Sequence, residues 1–211
     1  EELLDGLLGK DATTAPPALL LTGQPGMGLS HFLRKVKVRA QTRGVHAYLE
    51  RGFRGRSSPP GNYLRCLSAH MGDASEARSR WDAFLSRLGK PRRALQVHSS
   101  EGERRLRRAA EVALAAQAVK EPLLLAIDDL QFCDEISLGL TIDLIRFLAE
   151  RDGGKRPPIG IVASFREEGA SIPLLRELVD DLLGAARGEL IALRPLGLQE
   201  TMELYRSHTA R

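Results

Sequence analysis

The stretch Leu19-Leu20-Leu21-Thr22-Gly23-Gln24-Pro25-Gly26-Met27-Gly28-Leu29-Ser30-His31-Phe32 decides the fold, because an apolar run breaks into a glycine-rich turn and then into a helical pattern. Gly23, four intervening residues and Gly28 have the spacing of a phosphate-binding loop, in which glycines let successive backbone N–H groups converge on phosphate oxygens at a helix N-terminus. That motif calls for Lys and then Ser or Thr after the second glycine. Here the pair is Leu29 and Ser30, so the phosphate-reaching cation is missing.

Working outward, Ala18 to Thr22 read as a buried strand and Ser30 to Thr42 as the helix leaving the turn, with Phe32, Leu33 and Val36 inward and Arg34, Lys35, Lys37 and Arg39 outward. Gly44 ends the helix and Val45 to Glu50 make a second strand. Pro122 to Ile127 form the most apolar strand, which runs into Asp128 and Asp129. Mg²⁺ takes a few hard carboxylate and hydroxyl oxygens plus water, so an Asp at a strand tip facing the helix-start Ser30 suits it. The plainer reading is an Asp pair capping the next turn. Asp134 to Arg151 is an amphipathic helix, and Ile159 to Phe165 a strand that ends on Arg166. That cation either reaches a terminal phosphate at the carboxyl edge of the sheet or pairs with Glu167, Glu168 or another carboxylate. Ile172 to Leu183 make a helix, Glu189 to Leu193 the last strand, and Leu198 to His208 a final amphipathic helix. Five strands alternating with helices predict an α/β sandwich of three layers, a parallel sheet covered on both faces.

The rest is less regular. Glu1 to Lys10 carry leucines at the spacing of a short helix, and 11–17 read as a linker. Residues 51–100 read as a helical insertion, whose aromatics Tyr63, Trp81 and Phe84 pack rather than stack on bases. Residues 101–120 read as a helix with a solvated arginine face. The expected division is 1–17 as N-terminal helix and linker, 18–197 as nucleotide-binding core, and 198–211 as the start of a helical lid.

The chain has 211 residues, 43% hydrophobic and 27% charged, with a formal net charge of +4, enough for one domain with its own core. Its two cysteines, Cys66 and Cys133, lack metal-ligand spacing and point to a reducing, cytoplasmic setting. No apolar run approaches the ~20 residues of a membrane helix. The chain opens on Glu1 without a Met, as expected of a piece of a longer polypeptide.

Taken in order, Gly23 to Ser30, Leu123 to Asp134 (LLLAIDDLQFCD), Ala163 to Glu167 (ASFRE) and Leu193 to Leu196 (LRPL) resemble the signature of the AAA+-related signal-transduction ATPases with numerous domains, the STAND P-loop NTPases. The resemblance implies that Gly23, Gln24, Pro25, Gly26, Met27, Gly28, Leu29, Ser30 and His31 cradle the phosphates of ATP or ADP. It implies Ser30 and Asp128 as Mg²⁺ ligands, Asp129 as the residue assisting the attacking water, Arg166 as the γ-phosphate sensor and Pro195 beside the base. Leu29 departs from the family pattern, so binding is expected to outlast hydrolysis. Such modules sit in larger regulators, so the implied partners are nucleotide, other domains of the same polypeptide or other proteins, and copies of the chain in a nucleotide-dependent oligomer. Nucleic acid is not expected, because no recognition helix is visible.

Overall fold

The computed structural model describes Leu7, Pro16 and residues 18–52, 122–149, 158–184 and 188–209. Five strands, β1 (Ala18–Gly23), β2 (His46–Arg51), β3 (Leu123–Asp128), β4 (Ile159–Arg166) and β5 (Gly188–Ala192), form one sheet in the order β2-β3-β4-β1-β5. Every pairing is parallel. Four helices are described with them: α1 (Leu29–Gln41), α2 (Glu135–Ala149), α3 (Pro173–Gly184) and α4 (Leu198–Thr209).

β1 and β3 are buried at all six positions and β4 at seven of eight, as their continuous apolar sequences demand. Alternation along the strands then assigns the layers. Leu20, Leu125, Ile127, Ile161 and Phe165 pack with α2 and α3 on one face. Leu19, Leu21, Leu124, Ala126 and Val162 pack with Leu33, Val36 and Ala40 of α1 on the other. Arg146 of α2 ties the outer helices together by reaching Asp181 at 2.8 Å and Glu177 at 3.2 Å on α3.

The chain leaves β1 toward β2 on one side of the sheet, whereas it leaves β4 toward β5 on the other. The carboxyl end of β1 is therefore a topological switch point, where open α/β sheets bind ligands.

The expected strands and helices appear with ends displaced by one or two residues. β1, β3 and β4 extend into Gly23, Asp128 and Arg166, because ladder pairing carries on to Gly23↔Arg166 and Arg51↔Asp128. Of the expected N-terminal helix and linker, Leu7 and Pro16 alone are described, and Leu7 is buried beside Val162 and Leu124. The expected insertion beyond Gly52, the arginine-bearing helix over 101–120 and Cys66 lie outside the described residues.

Candidate functional site

The glycine turn connects β1 to α1, and its backbone explains its glycines. Gly26 and Gly28 adopt φ of 90° and 86°, the left-handed region that costs other residues roughly 1–2 kcal/mol. Nothing lies within 4 Å of where their Cβ atoms would stand, so conformation, not crowding, requires glycine there. Met27 N–H donates to the Gln24 carbonyl at 3.2 Å and closes the turn.

Gly28 caps α1 without a side-chain hydrogen bond, and the first turn holds no acidic residue. The first helical bond there runs from Phe32 N–H to Gly28 C=O at 2.8 Å, so the N–H groups of Leu29, Ser30 and His31 have no partner within the helix. Those groups and the positive end of the helix dipole make a cradle for an anion. The Leu29 side chain is partly buried and packs against the α1-side core.

Across the sheet, Asp128 and Asp129 end β3 and are buried. Asp128 shares the α1-facing side of the sheet with Ala126 and Leu124, as Ser164 does with Val162. The Ser164 hydroxyl donates to Asp128 Oδ1 at 2.6 Å and accepts the Asp129 N–H at 3.2 Å. Asp129 takes a left-handed backbone, φ 57° and ψ 49°, the one described non-glycine residue with positive φ. Its Oδ2 receives Arg51 Nε at 2.9 Å and Nη2 at 2.7 Å. Its Oδ1 receives Gln131 Nε2 at 2.9 Å and lies 3.4 Å from Arg166 Nε. The Arg166 N–H in turn donates to Gln131 Oε1 at 3.2 Å. Hydrogen bonding to Asp129, and then its charge, holds the Arg51 guanidinium above its ordinary pKa.

Asp128, Asp129 and Arg166 thus come together as one cluster, and Arg166 stands in register with Gly23 at the base of the cradle. Arg166 pairs with a carboxylate other than the neighbouring Glu167 and Glu168. Asp128 is engaged by Ser164 and, at 3.6 Å, by Arg51 rather than by Ser30. Pro195 is exposed two residues beyond Leu193, whose N–H donates to the Thr22 carbonyl at 2.7 Å beside the turn. Gln24, Pro25 and His31 are exposed around the cradle, while Met27 and Ser30 are half-buried.

Sequence reasoning missed Arg51, Ser164, Gln131 and Gly52. Ser164 and Gln131 lie inside stretches already singled out. Arg51 carried no signal, because its role comes from parallel pairing with a strand 77 residues away. A Cβ on Gly52 would run into the Asp129 carbonyl oxygen, so this glycine makes room for the left-handed turn.

The residues fit a nucleotide in part. The uncapped helix start and its two left-handed glycines suit phosphate. No group of three or more His, Cys, Asp or Glu among the described residues could hold a metal alone. Asp128 and Ser30 would therefore bind Mg²⁺ only with phosphate and water completing the shell.

A family model described as an AAA ATPase domain matches residues 1–162. No curated protein matches the chain in sequence. Among solved structures, the chain is similar to the ORC2 protein of Aeropyrum pernix in its ADPNP–ADP complexes, at TM-score 0.54 and 15% identity, over 99% of this chain and 50% of that one. It is similar to AMPPCP-bound DnaA of Aquifex aeolicus at TM-score 0.52 and 14% identity, over 99% and 49%. A Walker-type ATPase of Pyrococcus abyssi follows at TM-score 0.51 and 14% identity, over 100% and 57%. At these identities the likeness concerns the fold, and the chain spans about half the length of the structures it matches.

Proposed function

The chain belongs to the AAA ATPase domain family, and on that premise we propose that it is a nucleotide-binding regulatory module of a larger multidomain signalling protein, of the STAND type, with weak or absent hydrolysis. The observation that carries the reading is the uncapped start of α1 behind the left-handed Gly26 and Gly28. Main-chain N–H groups there bind the phosphates of ATP or ADP without help from a side chain. Ser30 and Asp128 hold Mg²⁺ beside them, and the ion supplies neutralisation of phosphate charge when bound. Pro195 lies toward the base, and Arg166, in register with Gly23, points its charge to the terminal phosphate when its pair with Asp129 opens.

Leu29 sets the limit on this chemistry. A charge-assisted hydrogen bond contributes about 1.5–3 kcal/mol, so its loss weakens ATP binding about ten- to hundredfold. Hydrolysis suffers more, because charge developing on the γ-phosphate lacks its usual cation. Asp129, which would orient the attacking water, has both carboxylate oxygens engaged by Arg51, Gln131 and Arg166.

Titrating ATP with Mg²⁺ calorimetrically into the wild type and Leu29→Lys, beside a phosphate-release assay, tests this. The expected result is measurable binding by both, tighter in Leu29→Lys, with wild-type turnover near background. One observation favours a second reading, an interaction scaffold that binds no nucleotide: the partly buried Leu29 packs against the apolar core beneath α1. It predicts no heat from the wild type. Phosphate release that disappears in Asp128→Ala would instead identify a slow ATPase working with another cation.

A further inference from the structure

Between Gln24 and Leu49 the sequence holds five lysines and arginines and no aspartate or glutamate. The fold places this stretch largely on α1, and its outer surface is what the sheet leaves uncovered: Leu33, Val36 and Ala40 face the core. Arg34, Lys35, Arg39 and Arg43 are exposed on that surface and, with Val38 between them, line an open groove of about 620 Å³. Val38 is 57% exposed. On the opposite face of the sheet α3 mixes Arg176 with Glu177, Asp180 and Asp181, and Arg146 pairs with Glu177 and Asp181.

We propose that the outer face of α1 docks the phosphodiester backbone of nucleic acid, a role separate from the cradle at the helix start. Residues 34 to 41 of α1 span about 10 Å at a helical rise of about 1.5 Å, and Arg43 follows in the turn beyond the helix. One strand of a duplex carries a phosphate every 3.4 Å or so along the axis, so the four cations and about four phosphates cover the same length. An acidic protein is the poorer fit. Cores of protein interfaces are depleted in charge and anchored by aromatic or Arg side chains in pockets, whereas nucleic-acid interfaces are strongly positive and polar. Among the described residues, four of the seven that line the groove are Lys or Arg and Val38 is the one large apolar residue. Contacts of this kind position a backbone without reading bases, so no sequence preference and no recognition helix are required.

Fluorescence anisotropy of a labelled duplex of about 20 base pairs, titrated with the full chain without nucleotide at about 50 and about 200 mM salt, tests the proposal. Four phosphate contacts predict a log–log salt slope near −3.6, or about a hundredfold weaker binding across that range. The triple variant Arg34→Glu/Lys35→Glu/Arg39→Glu is expected to abolish binding. The neutral Arg34→Gln/Lys35→Gln/Arg39→Gln flattens the slope by nearly three, with circular dichroism verifying the fold of both. Undetectable wild-type binding at the lower salt, a flat salt response, or a folded triple variant that keeps its affinity would each overturn the proposal. So would competition by polyglutamate as effective as that by unlabelled duplex, which would assign the face to an acidic polypeptide. None of the substituted residues belongs to the phosphate cradle, so a negative result leaves the nucleotide reading standing.

Discussion

Ser164 and Arg51 both serve the acidic pair, yet their burial makes them unequal. Ser164 is 1% exposed and supplies, among the described residues, the one hydrogen bond to Asp128 Oδ1, so Ser164→Ala removes a buried partner at a cost of about 1–3 kcal/mol. The Arg51 side chain is 61% exposed, and solvent screening holds the loss in Arg51→Ala below about 1 kcal/mol although it makes two contacts to Asp129. Urea unfolding of the two variants side by side should show that order. Cys133 offers a prediction in pH. Burial first, then the charges of Asp134 and Asp129, push its thiol from 9.0 to about 12. The folded state thus favours the neutral thiol. Below pH 9 folded and unfolded chains are both protonated there and the group changes nothing, and between 9 and about 12 only the unfolded chain ionises, so stability falls as pH rises through that window. At pH 8, iodoacetamide should label folded Cys133 far more slowly than the unfolded chain in a Cys66→Ser background.

The junctions between elements carry the site. β1 leads into a turn with two left-handed glycines, and β3 ends in the left-handed Asp129, which turns the chain into the 3₁₀ segment Leu130–Phe132. That second junction depends on β2, because the Gly52 N–H donates to the Asp128 carbonyl at 2.8 Å and a Cβ on Gly52 would run into the Asp129 carbonyl oxygen. Gly52→Ala is therefore expected to destabilise by about 1–3 kcal/mol, since the obstacle is main chain and cannot swing aside. A chemical melt of that variant checks it, and an unchanged midpoint would mean that the two strand ends are not coupled. β2 is a polar edge strand, and its terminal residues looked in sequence like the first part of a loop. Only its pairing to β3 makes Arg51 and Gly52 part of the site.

At the scale of the molecule, two apolar clusters sandwich the sheet, and Leu124 in the interior strand β3 is fully buried in the one beneath α1. Leu124→Ala should cost about 2–5 kcal/mol in unfolding free energy, with an unchanged denaturant slope if the fold survives. Ligand linkage gives a global test of the nucleotide reading: ATP with Mg²⁺ at a hundred times its Kd adds about 2.7 kcal/mol, which a thermal melt reads as a raised Tm. An unchanged Tm at millimolar nucleotide favours the scaffold. The strands β1, β3 and β4 were legible because burial on both faces forces unbroken apolar runs, and the turn after β1 was legible because left-handed backbone at Gly26 and Gly28 demands glycine. Those are local constraints, and the amino-acid order by itself determined them. Which charges meet at the carboxyl edge was not local. Arg51 reaches Asp129 and Ser164 reaches Asp128 only after parallel strands far apart in the chain are laid side by side in register, and tertiary pairing alone decided that.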